Sequence, residues 1–95
     1  MDLVRKLSSV GKQAFVENYE IFQRYASSRI TREDAIDQLV KIGVSNEAGA
    51  AIRVGNAKLI FDDGKQKEAL NLVLKSKRIP PSITNEARRI IGENS

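Results

Sequence analysis

The sequence predicts an all-α fold, a compact bundle of five helices, or four if the first two fuse. Three observations predict it. Apolar residues recur at spacings of three and four along almost the whole chain. No stretch alternates apolar and polar residues for long enough to make a strand. Glycine, proline and short polar residues stand at the junctions where helices would end and begin.

Residues 2–27 carry Leu3, Leu7, Val10 and Ala14, then Phe15, Tyr19, Phe22 and Ala26, all at helical spacing. Ser8-Ser9-Val10-Gly11 decides whether this is one helix or two, because Ser9 is a candidate cap and glycine costs about 1 kcal/mol inside a helix. Two pieces are favoured, the second covering residues 12–27. The aromatic stripe Phe15, Tyr19, Phe22 and Tyr25 reads as core, although the same stripe would also suit base stacking.

Thr31 is placed to cap the next helix, with Glu33 and Asp34 complementing the positive end of its dipole. That helix presents Ala35, Ile36, Leu39, Val40 and Ile42, and Gly43 supplies the left-handed residue that ends it. Ser45 is the expected cap of a long central helix, about 46–62, that closes at Asp62-Asp63-Gly64. On a helical wheel this segment has two apolar faces. Ala50, Val54, Ala57 and Phe61 form one, and Ala48, Ile52, Gly55 and Leu59 form the other, so burial on both sides is expected. Between them runs a polar stripe, Asn46, Gly49, Arg53 and Asn56. Lys65 to Ser76 forms the next helix, with Ala69, Leu70, Val73 and Leu74 inward. Pro80-Pro81 stops it. The last helix starts at Ser82 or Thr84 and runs to Ile91, leaving residues 92–95 as a frayed tail.

With 95 residues the chain makes one domain, 1–95, able to bury roughly 60–65% of its unfolded surface. It lacks the ~18-residue apolar run of a membrane span. Asp2, Arg5 and Lys6 do not suit a secretory leader, so no membrane partner and a cytoplasmic location are expected. Having neither cysteine nor histidine, it lacks thiolate ligands and the commonest general base. No enzyme activity, metal or other cofactor is expected.

The formal net charge is +4, and the excess lies at the two ends of the chain. Residues 31–62 hold five acidic and four basic side chains, whereas 63–95 hold seven basic and four acidic. Lys75, Lys77 and Arg78, with Arg88 and Arg89 one short helix away, would form a phosphate-binding patch if the proline turn brings them together.

The run Leu39-Val40-Lys41-Ile42-Gly43-Val44-Ser45-Asn46-Glu47-Ala48, within residues 35–53, resembles the turn region of bacterial helix-turn-helix DNA-binding domains. Over 31–62 the chain would then form a helix-turn-helix-like pair. The match departs from the family at Gly49, where a branched apolar residue is usual, and in the length of the second helix. The resemblance implies a second helix entering the major groove, with Asn46, Arg53 and Asn56 at base edges. It also implies Ser45 and the amides after it on a phosphate, flanked by Arg29, Arg32 and Lys41. The bland reading of the same residues is a helix start at Asn46 and a solvated charge at Arg53.

The expected function is nucleic-acid binding, DNA in the first place, by occupancy of a site in a regulatory or accessory role. The alternative is a protein-interaction module of the antitoxin, immunity-protein or inhibitor type, using the small residues Ala48, Gly49, Ala50, Ala51, Gly55 and Ala57 as a close helix interface with a protein partner or a second copy of the chain.

Overall fold

Seven helices and no strand make up residues 2–93, the part of the chain that the computed structural model describes. They are α1 (Leu3–Val10), α2 (Lys12–Glu17), α3 (Tyr19–Ala26), α4 (Arg32–Lys41), α5 (Glu47–Asp62), α6 (Gln66–Leu74) and α7 (Pro81–Glu93). The all-α class is as expected, but the count is not. The breaker residues delimit six helical stretches, one more than the expected five, and all six form. A further break at Asn18 divides the second stretch.

The cause of that break is local. Asn18 is buried, and its Nδ2 donates to the Ala14 carbonyl at 3.1 Å, the same oxygen that its backbone N–H reaches at 3.0 Å. A short polar side chain that competes for the helix's own carbonyl disturbs the ladder. Here it leaves Asn18 at φ −115°, ψ 22°, outside the helical region.

The caps follow from the local sequence. Thr31 and Asp34 form a reciprocal capping box, with Thr31 Oγ1 accepting from the Asp34 N–H at 3.1 Å. Gly43 ends α4 in a Schellman motif, its N–H reaching the Val40 carbonyl while the Val44 N–H reaches that of Leu39. Gly64 repeats the arrangement after α5. Asn46, not the expected Ser45, is the N-cap of α5: its Oδ1 accepts from the Gly49 N–H at 2.8 Å. Pro81 begins α7, where its missing N–H costs nothing, and α7 continues to Glu93. Gly92 and Glu93 are therefore helical. The rest of the expected tail, residues 94 and 95, lies outside the described residues.

Ser28 closes α3 in the same Schellman pattern, with Ser28 N–H to Tyr25 and Arg29 N–H to Arg24, but at φ 63° and without being a glycine. A side chain in this left-handed region is unfavourable by about 1–2 kcal/mol. Ser28→Gly is expected to stabilise the fold by about 0.5–1 kcal/mol once glycine's greater unfolded-state freedom is offset. Chemical denaturation of the two chains checks this, and an unchanged or lower midpoint would contradict it.

The core is one cluster. Leu7, Val10, Phe15, Phe22, Leu39, Val54, Ile60 and Val73 are fully enclosed, and Phe15 meets Tyr19 edge-on, stacks on Phe22 and tilts against Phe61 at centroid separations of 5.7–6.2 Å. The aromatic stripe is thus core. Helix α1 packs along α5, whose other neighbours are α3, α4 and, more lightly, α6, while α6 and α7 pair and close the bundle against α2. Among the described residues no helix is long and apolar enough to cross a membrane.

Helix α5 departs from the expected double burial. Ala50, Val54, Ala57 and Ile60 face the core at 0% exposure, whereas Ile52 is 58% and Leu59 47% exposed, with Ala48 open beside them. Its neighbours all pack on one side, so the second apolar face looks outward. The apolar end of α4 is likewise less buried than expected, with Val40 and Ile42 exposed.

Candidate interaction surface

The polar stripe of α5 is held by the protein's own groups. Asn46 Oδ1 caps its helix. Ser45 Oγ donates to the Asn46 carbonyl at 3.1 Å, and Asn56 Nδ2 donates back to the Ile52 carbonyl at 2.9 Å. Arg53 is half-buried, and its Nη1 donates across the bundle to the Val10 carbonyl at the end of α1. A charged donor on a carbonyl that a helix end leaves unsatisfied is a strong hydrogen bond. Arg53 therefore ties α5 to the α1–α2 junction, where its side chain lines an open concavity of ≈ 560 Å³ with Lys12, Gln13 and Val44.

Gly49 serves the same cap. A Cβ there would stand 2.8 Å from Ser45 Oγ and 3.2 Å from Asn46 Oδ1. The close approach that glycine permits at this point is to the capping turn, and this accounts for the absence of a branched residue.

Of the three flanking cations, Arg32 is the one that lines a groove with the first residue of α5. Arg29 lies in a concavity with Glu20, Gln23, Arg24 and Ser27. Arg32 lies in a groove with Glu33, Asp37, Val40 and Glu47, one cation among three carboxylates. Lys41 pairs with Asp37 at 2.8 Å, and that hydrogen bond raises the lysine's pKa above its ordinary value. The groove beside the α4–α5 turn is thus lined by more carboxylates than cations.

The C-terminal cations divide into two groups. Arg89 is clamped by Glu86 and Glu93 on α7, with Nε at 3.1 and 3.0 Å from the two Glu86 oxygens. The clamp holds the Glu86 carboxyl below its usual pKa and the guanidinium above its own. It faces α2 and α3, beside Glu17, Tyr19 and Glu20. Arg88 donates to Asn85 Oδ1. Lys75, Lys77 and Arg78 are exposed at the α6–α7 connection and form no ion pair among the described residues. Lys12 joins that end, since its Nζ donates to Ser76 Oγ at 2.7 Å. The expected five-charge cluster loses Arg89 to its carboxylates, and Lys12 comes beside Ser76 from a distant part of the sequence.

The surface that sequence reasoning placed inside is the outer face of α5. Ala48, Ile52, Gly55 and Leu59 lie at i, i+4, i+7 and i+11, a continuous stripe about 16 Å long. Gly55 has no atom within 4 Å of where a Cβ would be, so the helix backbone itself is approachable there. The Lys58–Asp62 ion pair borders the stripe at one end and Glu47 at the other. The available signal was the wheel pattern itself, which marks both faces as apolar without saying which one the chain covers. The chain matches no protein-family profile, no curated protein and no solved structure.

Proposed function

We propose that this chain is a protein-interaction module that works by helix packing through the outer face of α5. One observation carries the reading: the longest helix of the bundle turns Ile52 and Leu59 to solvent on an uncharged stripe while its opposite face fills the core. Apolar side chains aligned along a helix are the anchors of helix-on-helix recognition, and a contiguous exposed apolar patch marks an interaction site far better than scattered single residues do.

Nucleic-acid binding retains support from a different place. Lys75, Lys77 and Arg78 are exposed and unpaired among the described residues, with Lys12 held beside them through Ser76. The side chains suited to base reading are bonded internally, so the surface that favours this second reading is the basic end, through backbone phosphates.

The experiment compares the wild-type chain with Ile52→Lys, whose exposed position should leave folding intact. Immobilised chain is presented with nuclease-treated extract of its native cell, and labelled chain is titrated with mixed duplex DNA at two salt concentrations. A protein retained by the wild type and lost with Ile52→Lys is the expected result. Salt-dependent DNA binding that survives Ile52→Lys and disappears when Lys75, Lys77 and Arg78 become glutamine, with no protein retained, would replace this reading by the nucleic-acid one.

A further inference from the structure

Resting on the reading of α5 as the contact surface, we infer that its occupant is a second copy of this chain, docked antiparallel, α5 against α5. The stripe is complementary to itself in one orientation. Its four positions are symmetric about the midpoint between Arg53 and Val54, so a two-fold axis there sets Ala48 opposite the partner copy's Leu59 and Ile52 opposite its Gly55. Each large side chain then meets a small one, and Gly55, open in the monomer, becomes the hole that receives isoleucine. This is the seam of an antiparallel two-helix coiled coil, with large residues at one heptad position and small residues at the other. The small positions permit an interaxial distance at the lower end of about 8–10 Å.

The parallel orientation fails on shape. It would set Ile52 against Ile52 and Leu59 against Leu59, leaving voids at Ala48 and Gly55, and voids lose contacts outright. Arg53 stays out of the seam because it is turned to the Val10 carbonyl.

A single helix-on-helix contact along α5, about 24 Å of helix, is smaller than the ~800 Å² per partner of a standard stable complex. The dimer is therefore weak and concentration-dependent, and the experiment must span concentration. Sedimentation of the wild-type chain from micromolar to millimolar is expected to move from monomer towards dimer mass, and Ile52→Lys to remain monomeric throughout.

Orientation is read with introduced thiols, for which the cysteine-free sequence is convenient. Mixing Ala48→Cys chains with Leu59→Cys chains under mild oxidation should give the mixed disulfide. Ala48→Cys alone should not cross-link, because its two copies lie ~16 Å apart along the seam, beyond the ~7 Å that a disulfide spans. Efficient Ala48–Ala48 cross-linking would overturn the antiparallel register. A chain that stays monomeric at every concentration and forms no mixed disulfide would overturn the dimer. If Ile52→Lys nevertheless still abolishes retention of a different protein, the interaction-module reading stands without it; if no protein is retained either, both fall.

Discussion

Phe15→Ala is expected to cost about 3–5 kcal/mol, the largest loss from any single truncation in this protein. Phe15 is fully enclosed, and its ring meets three others: Tyr19 edge-on at 5.7 Å, Phe22 stacked at 6.2 Å and Phe61 tilted at 5.9 Å. Those partners belong to α3 and α5, while Phe15 itself is on α2, so one ring joins three helices. Alanine would remove the apolar transfer energy and leave a cavity that the surrounding rings cannot fill without abandoning their mutual contacts. Domains of this size have about 5–15 kcal/mol in total, so the variant should be partly unfolded or nearly so at ambient temperature. Urea denaturation measures the difference. A loss under about 1 kcal/mol would mean that Phe15 is not where the structure puts it. Phe15→Leu, which keeps most of the volume, should lose much less.

Gly11→Ala is expected to be comparably damaging for a different reason. Gly11 sits at φ 92°, ψ 123°, a backbone conformation that L side chains rarely adopt, and the conformational strain alone is worth about 1–3 kcal/mol. A Cβ at this position would also stand 2.9 Å from Arg53 Nη1, the atom that donates to the Val10 carbonyl. The guanidinium would have to withdraw, losing a hydrogen bond from a charged group, about 1.5–3 kcal/mol. The two penalties can be separated. Arg53→Ala removes the bond by itself, and in that background Gly11→Ala should cost only the backbone part. A double-mutant cycle should therefore be non-additive by at least about 1 kcal/mol. Strict additivity would show that Gly11 and Arg53 act independently and that the contact between them carries no weight.

This pair shows where sequence reading stops. Gly11 was recognisable as a helix breaker because a glycine between two apolar-periodic segments is a local signal. Arg53 was recognisable as a polar residue between two apolar faces of α5. Nothing local joins residue 53 to residue 10, and the hydrogen bond between them exists only once α1 lies along α5. Arg53 was assigned to a reading face for that reason. The same holds for Lys12 and Ser76, which sit 64 positions apart. The clamp of Arg89 by Glu86 and Glu93 is a different case: its i, i+3 and i+4 spacings were available, but the emphasis on accumulated positive charge passed over the carboxylates next to it.

Local physics decided what the sequence could determine alone. The all-α class, the approximate limits of α4 and α5, the cap at Thr31, the glycine terminations and the aromatic core stripe all depend on groups within four or five positions of each other. The outer face of α5 was beyond that range. Its two apolar stripes, Ala50-Val54-Ala57-Phe61 and Ala48-Ile52-Gly55-Leu59, are alike on a helical wheel, and burial is a property of neighbours rather than of the stripe. The tertiary structure packs α1, α3, α4 and α6 on the first side and leaves Ile52 and Leu59 in water. Burial on α5 is thus decided by where the other helices pack, and they cover one of its two apolar sides.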